Sequence, residues 1–405
     1  MIDMLVLRCP FQCHFIDQNS NPTAVWPSYS LASLSIPLVQ SIDAEGNIDN
    51  LRHPWESLPS SFESMAFKVF DHRYDSLDCF YIEIKASPAK LMLGHNIFGS
   101  SDIYDCSMTM LELLCSTYPQ ITELLDHTLW ELAQIDITYS AKAKDNHEAK
   151  LFINSLHSVS FGQTKSRTGY DGTAYFGKKN SRLKKIKVYS KHPEVLETIK
   201  KNKIKLDGEL INEVYTPELL TYASGLIRWE CSFYHRYFSR LGISTFLKDI
   251  FHQSTFNAQA LQNYWYLGTA DLFKSLNGQT MKTLNTLEVK TQLRALYSKT
   301  SLKTGLVSTV LADSAFRTYN DLLRDGFIIA RESMSRANFN KHIVMLCACG
   351  LSRAALQNLN GLENGATIIP YVRFITIDFE NQYPVDYVQP LAKHIRSIPP
   401  LRLIA

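Results

Sequence analysis

Apolar and polar residues alternate in four short stretches of the first half of the chain: Ile82-Glu83-Ile84, Ile135-Asp136-Ile137-Thr138, Ile186-Lys187-Val188-Tyr189 and Arg228-Trp229-Glu230-Cys231. A period of two predicts strands with one face in a core and the polar side chains on the other. Residues 1–7 read as an opening strand. Residues 65–70 and 79–85, parted by the polar stretch 71–78, read as a hairpin. Residues 101–125, 147–158 and 193–203 repeat apolar positions at helix spacing. Strands and helices interleave, so the predicted class is α+β with a mainly antiparallel sheet. After about Leu241 nearly every segment is helical by pattern: 256–276, 286–299, 314–325, 335–349 and 352–359, with Ser335 as an N-cap and Gly350 as a stop. Residues 371–379 read as a last strand. The expected division is an α+β domain over 1–245 and a mainly helical domain over 246–405.

Each of the four strands carries a reactive group on its polar face. Lys187 and Tyr189 share a face, as do Arg228, Glu230 and Ser232. If the faces meet, Glu83, Asp136 and Glu230 offer oxygen ligands for Mg²⁺ or Mn²⁺. A tyrosine hydroxyl beside such a site can attack phosphorus and form a phosphotyrosine link. Its ordinary pKa near 10 demands help from a metal, a lysine or a base. Lys187 is placed to help, with Lys191 and His192 nearby. Arg228 is a candidate DNA-phosphate contact; the plainer alternatives are that it is structural, that the strand acids are solvated and that most of the 20 tyrosines pack or face solvent. Histidine pairs at i and i+2, a common route to a nuclease metal, do not occur among the 12 histidines.

The net charge of +3 is unremarkable, but residues 178–205 hold eleven Lys/Arg against two acids. Lys178, Lys179, Arg182, Lys184 and Lys185 in that run form either a solvated face or a track for phosphates. In the second half, residues 333–359 allow a helix-turn-helix with Arg331, Arg336 and Lys341 as DNA contacts, or an ordinary helical packing unit. Eight cysteines include no C-x-x-C pair, which points to reduced thiols over zinc or disulfides. The best uncharged apolar run covers nine residues, 343–351, where a spanning helix needs about 20. Asp3 and the lack of a basic lead argue against a signal peptide.

Several segments together resemble the gene II replication initiator family of filamentous bacteriophages. They are MIDMLVLR at 1–8, HPWESLP at 53–59, AFKVF at 66–70, IEIKASPAK at 82–90, GHNIFG at 94–99, IDITYSAKA at 135–143, FGQTK at 161–165, ASGLIRWE at 223–230 and VRFITIDF at 372–379. The likeness runs from end to end. More distantly, YFGKKNSRLKKIKVYSKHPE at 175–194 followed by LIRWECSF at 226–233 is similar to the catalytic region of rolling-circle plasmid initiators.

The resemblance implies a replication-initiator, relaxase-like nicking domain with one nucleophilic tyrosine. By position this is Tyr189, with Tyr175 as the rival. Metal ligands carry over to Asp136, Glu230 and Glu83, with Asp3 and Glu194 ranked lower. The implied reaction cuts the viral strand at the phage origin through a 5′-phosphotyrosine and later recircularises the displaced strand. Partners would be double-stranded origin DNA, the displaced single strand, the host helicase and polymerase, and other copies on the origin. The setting would be the cytoplasm of the bacterial host, with no membrane. A shorter product starting at Met281 is also implied. A DNA-binding regulator without catalysis and a metal-dependent nuclease using water remain the alternatives.

Overall fold

The computed structural model describes residues 1–12, 14–15, 24–25, 39–42, 44–46, 48–60, 62–70, 81–156, 159–161, 164–168, 172–202, 208–276, 286–300, 305–349, 351, 353–357, 359 and 374–387. The polar stretch 71–78, Met281, Gly350 and Ser352 lie outside them.

The alternating segments become one ten-stranded sheet, antiparallel throughout. Its strands are β1 (Ile2–Pro10), β2 (Glu56–Leu58), β3 (Met65–Phe70), β4 (Tyr81–Ala86), β5 (Glu131–Lys142), β6 (Ser160–Phe161), β7 (Thr164–Thr168), β8 (Thr173–Phe176), β9 (Lys184–Ser190) and β10 (Leu226–Tyr234). The spatial order is β6-β7-β8-β9-β10-β5-β1-β4-β3-β2. The hairpin expected over 65–85 is β3–β4. The strands with the candidate chemistry, β9, β10 and β5, are adjacent and central. Register fixes their faces: Lys187 lies opposite Glu230, which lies opposite Thr138, and Ser232 lies opposite Asp136.

The apolar face takes the helices. Cys106, Met110, Leu113 and Leu114 of α1 (Ile103–Thr117), Phe152 and Ile153 of α2 (Asn146–Leu156), and Trp265, Leu272 and Phe273 of a 19-residue helix at Ala258–Leu276 join Ile84, Ile135, Val188, Trp229 and Cys231 in one core. Gly268 sits where that last helix comes nearest the sheet. A Cβ there would lie 2.6 Å from both Cys231 Sγ and Phe233, so only glycine permits the approach. Asp102 caps α1 by accepting from the amides of Tyr104 and Asp105.

The core does not end at 245. Leu247, Ile250 and Phe256 belong to it, together with the helix that ends at Leu276. The chain also returns. Residues 371–373 lie outside the described part, and Phe374–Phe379 forms no strand. Instead Phe374 is fully buried in the sheet core, its carbonyl accepts from the Trp229 indole at 3.1 Å, and Phe379 meets the Tyr139 and Trp265 rings. The second core is helical, built on Thr286–Tyr297, Val310–Asp325 and Arg336–Ala348. The expected cap holds: Ser335 Oγ accepts from the Asn338 amide. Cys349 is in this core, and Cys106, Cys115, Cys231, Cys347 and Cys349 are free thiols. Among the described residues no helix is long and apolar enough to cross a membrane.

Candidate active site

The polar face of the sheet opens into a cleft of about 620 Å³. Asp3, Asp136, Lys187, Tyr189, Glu194, Glu230 and Asn96 line it. Strand alternation delivers Asp136, Lys187, Tyr189 and Glu230. Asp3 comes from an irregularity: the β1–β5 register shifts between Ile2 and Met4, which turns Asp3 toward the site.

The residues form one charged network. Lys187 Nζ lies 3.5 Å from Glu230 and 4.0 Å from the centre of the Tyr189 ring. Asn96 donates to Asp3 Oδ1 at 2.8 Å and accepts from Lys191 Nζ at 2.7 Å. Lys191, fully buried, is also bonded to Glu194. Arg228, 1% exposed, donates to the carbonyls of Asn96 and Ile97 and lies 3.9 Å from Asp3. Asn96 and the Ile97 carbonyl therefore hold these groups in place.

Burial sets the electrostatics. It pushes the Glu230 carboxyl up to about 7, and the Asp136 and Asp3 charges add to the rise against Lys187. Burial also raises Asp136, although Gln134 donates to it at 2.8 Å. Burial would raise Asp3 as well, but Arg228, Lys191 and the Asn96 hydrogen bond hold it below its ordinary value. Lys191 is lowered to about 8 by burial and by Arg228. Lys187 is desolvated, yet Glu230 and Asp3 keep it above its ordinary value. Burial takes the Tyr189 hydroxyl well above 10, Asp3 adds to this, and Arg228 opposes it.

Not every expected residue is present. Glu83 shares the polar face, but it pairs with Arg8, whereas Asp136 pairs with Met4. Four residues of strand, about 13 Å, separate the two levels. Glu83 faces Arg8, Lys85 and Lys68 instead. Asp3 is the acid that stands with Asp136 and Glu230. Among the described residues no three His, Cys, Asp or Glu side chains are grouped closely enough to hold a metal ion by themselves. Arg228 is a buried organiser, not an exposed DNA contact. Lys184 donates to the Gly268 carbonyl at 2.9 Å, and Lys185 lies over the Tyr234 ring at 5.0 Å. Lys178, Lys179 and Arg182 are exposed on the turn between β8 and β9. Tyr175 lies opposite Lys187 in the β8–β9 register, on the same face as Tyr189. His192 turns to Asn146 at 3.1 Å. Arg336 and Lys341 are exposed on their helix. The second helix of the expected helix-turn-helix, Arg353–Gln357, has five residues and buries Leu356 and Gln357, so it belongs to the helical core. Asn96 lay in a conspicuous motif, GHNIFG, but spacing alone gave it no partner.

Fold and site define an α+β protein whose antiparallel sheet carries a buried tyrosine among carboxylates and lysines. The chain belongs to the gene II family of phage replication-associated proteins. Residues 1–259 match the N-terminal family of these replication-associated proteins and residues 302–393 match their C-terminal family. It is 31% identical to the gene II replication-associated protein of Salmonella phage IKe over 98% of both chains. It is 32% identical to that of Enterobacteria phage f1 over 97% of this chain and 100% of the relative. No solved structure matches.

Proposed function

We propose that this protein initiates rolling-circle replication of a phage genome as a strand-cutting and strand-joining enzyme with Tyr189 as nucleophile. The observation that carries the reading is the meeting of Tyr189, Lys187, Asp3, Asp136 and Glu230 in one cleft, in a chain of a phage replication family. Tyr189 Oη attacks the phosphorus of one phosphodiester. The Oη–P bond forms, the P–O3′ bond breaks, and the 3′ oxygen leaves to take up a proton. The strand keeps its 5′ phosphate on the tyrosine, and the free 3′ hydroxyl primes synthesis. In the reverse sense a 3′ hydroxyl attacks the phosphotyrosine and restores the phosphodiester, so joining needs no nucleoside triphosphate. The sequence accordingly has no P-loop.

The residues divide the work. Lys191, lowered to about 8, has a neutral fraction near physiological pH that can hold the phenolic proton. Lys187 stays charged and offsets charge gained at the phosphate. The buried Arg228 charge favours the ionised phenol of Tyr189. Asp136 and Glu230, raised by burial in each other's company, have the donor chemistry of a divalent cation site, with Asp3 beside them. Mg²⁺ characteristically binds one or two carboxylates and completes its shell with water and substrate phosphate. When bound there, Mg²⁺ or Mn²⁺ would polarise the phosphodiester and offset its charge. The exposed turn at Lys178, Lys179 and Arg182 would track the origin duplex. Bacterial cytoplasm, host helicase and polymerase, and self-association on the origin follow from the same reading.

The test is to incubate the protein with Mg²⁺ and a supercoiled plasmid carrying the phage origin. A nick together with a covalent protein–DNA adduct is expected. A nick without an adduct identifies a water-using nuclease, and neither product identifies a DNA-binding regulator.

A further inference from the structure

A second groove, of about 540 Å³, adjoins the carboxylate cleft. The two share Lys187, Tyr189 and Glu194, so Tyr189 stands where they join. Each is large enough for a nucleotide-sized ligand. Each also has an aromatic side chain the reaction does not use. In the carboxylate cleft it is Trp55, 46% exposed, with its ring edge-on to Phe70 at 6.2 Å. In the second groove it is Tyr175, partly exposed, on the sheet face that carries Lys187 and Tyr189. The other described tryptophans, Trp130, Trp229 and Trp265, are at most 4% exposed. A tryptophan half in solvent beside a charged cleft keeps an unused stacking face. Cations accompany both platforms, Lys85 and Lys90 in the first cleft and Lys150 in the second.

We propose that the two grooves form one track for a single DNA strand, with unpaired bases several nucleotides apart, on opposite sides of the cut, stacked on Trp55 and on Tyr175. This rests on the reading of the cleft as a strand-cutting site and gives Tyr175 a role other than nucleophile. Bases in a duplex already stack on one another and cannot lie on a protein ring. Unpaired bases can, and each such stack contributes substantially to single-strand affinity whatever the base. The track therefore requires the cutting site to be melted, and it selects single-stranded over double-stranded DNA.

Equilibrium binding of a short single-stranded oligodeoxynucleotide to the full chain tests this without cutting, because the Tyr189→Phe background can be used. Trp55→Ala and Tyr175→Ala are each expected to weaken binding by on the order of tenfold. Trp55→Phe and Tyr175→Phe should keep most of it, since each retains a ring. Binding should quench tryptophan fluorescence, and Trp55→Phe should abolish the quench while leaving the affinity. Circular dichroism checks that the alanine variants fold. Wild-type affinity in both alanine variants, or a quench that survives Trp55→Phe, overturns the track even if the wild-type protein forms its adduct. Stacking signatures in a protein that never forms an adduct would retain the track and remove the catalytic reading.

Discussion

Glu230 shows what burial does to a single carboxyl. Its group is raised from an ordinary 4.5 to about 7, so the folded protein holds that proton more tightly than the unfolded chain does. Between those two values the folded state binds more protons, so this group's contribution to stability falls as pH rises and is lost once pH passes about 7. A divalent cation needs the ionised form, so cation binding should strengthen over the same interval. The rise in Tm produced by Mg²⁺ is expected to be larger at about pH 8 than at about pH 6. Glu230→Gln should flatten that difference, and an equal rise at both pH values in the wild type would remove Glu230 from the cation site. Asp136 and Glu230 were legible from strand alternation because both sit in regular, central strands. Asp3 was not, because the β1–β5 register shift takes it out of the period-two rule. Periodicity left Arg228 open between a structural role and a phosphate contact, because the carbonyls that hold it, those of Asn96 and Ile97, lie more than a hundred residues away in sequence. Periodicity gives the face of a strand and not what lies upon it.

At the scale of elements, the basic run divides into parts with different work. Lys184 is tied to a helix carbonyl and Lys187 to Glu230, while Lys178, Lys179 and Arg182 face solvent on one turn. Reversing these last three to Glu should weaken binding to origin duplex and lower the slope of log affinity against log salt by about three. An unchanged slope would make the turn a solvated face. The helix Ala258–Leu276 makes a sharper steric claim. Gly268→Val places two methyls where one Cβ already meets Cys231 and Phe233 at 2.6 Å. A loss of about 1–3 kcal/mol is expected in urea unfolding, and a neutral result would contradict the close approach. The long helices were readable from sequence spacing, but the short one at 247–253 was not, nor was the core each joins. Only their contacts assign the helices at 247–253 and 258–276 to the sheet.

At the scale of the molecule, the sheet core includes Leu276 and, after the separate helical core, Phe374 as well. The return is anchored by Phe374 and by Gln382, whose side chain exchanges hydrogen bonds with the Ser140 backbone. Phe374→Ala should cost about 3–5 kcal/mol in chemical unfolding, far more than an external tail would. A loss below about 1 kcal/mol would place the segment outside the core. The antiparallel α+β class was readable because alternation and helix spacing change along the chain. The 245 boundary was not, since a segment that closes a distant core leaves no periodic trace. The central claim concerns one atom, Tyr189 Oη. Proteolysis of the covalent adduct formed on origin DNA, followed by mass spectrometry of the peptide that carries the nucleotide, locates the linkage directly. The account predicts the mass on the peptide containing Tyr189 and no adduct in Tyr189→Phe. A linkage on Tyr175, or an adduct that survives Tyr189→Phe, would contradict it.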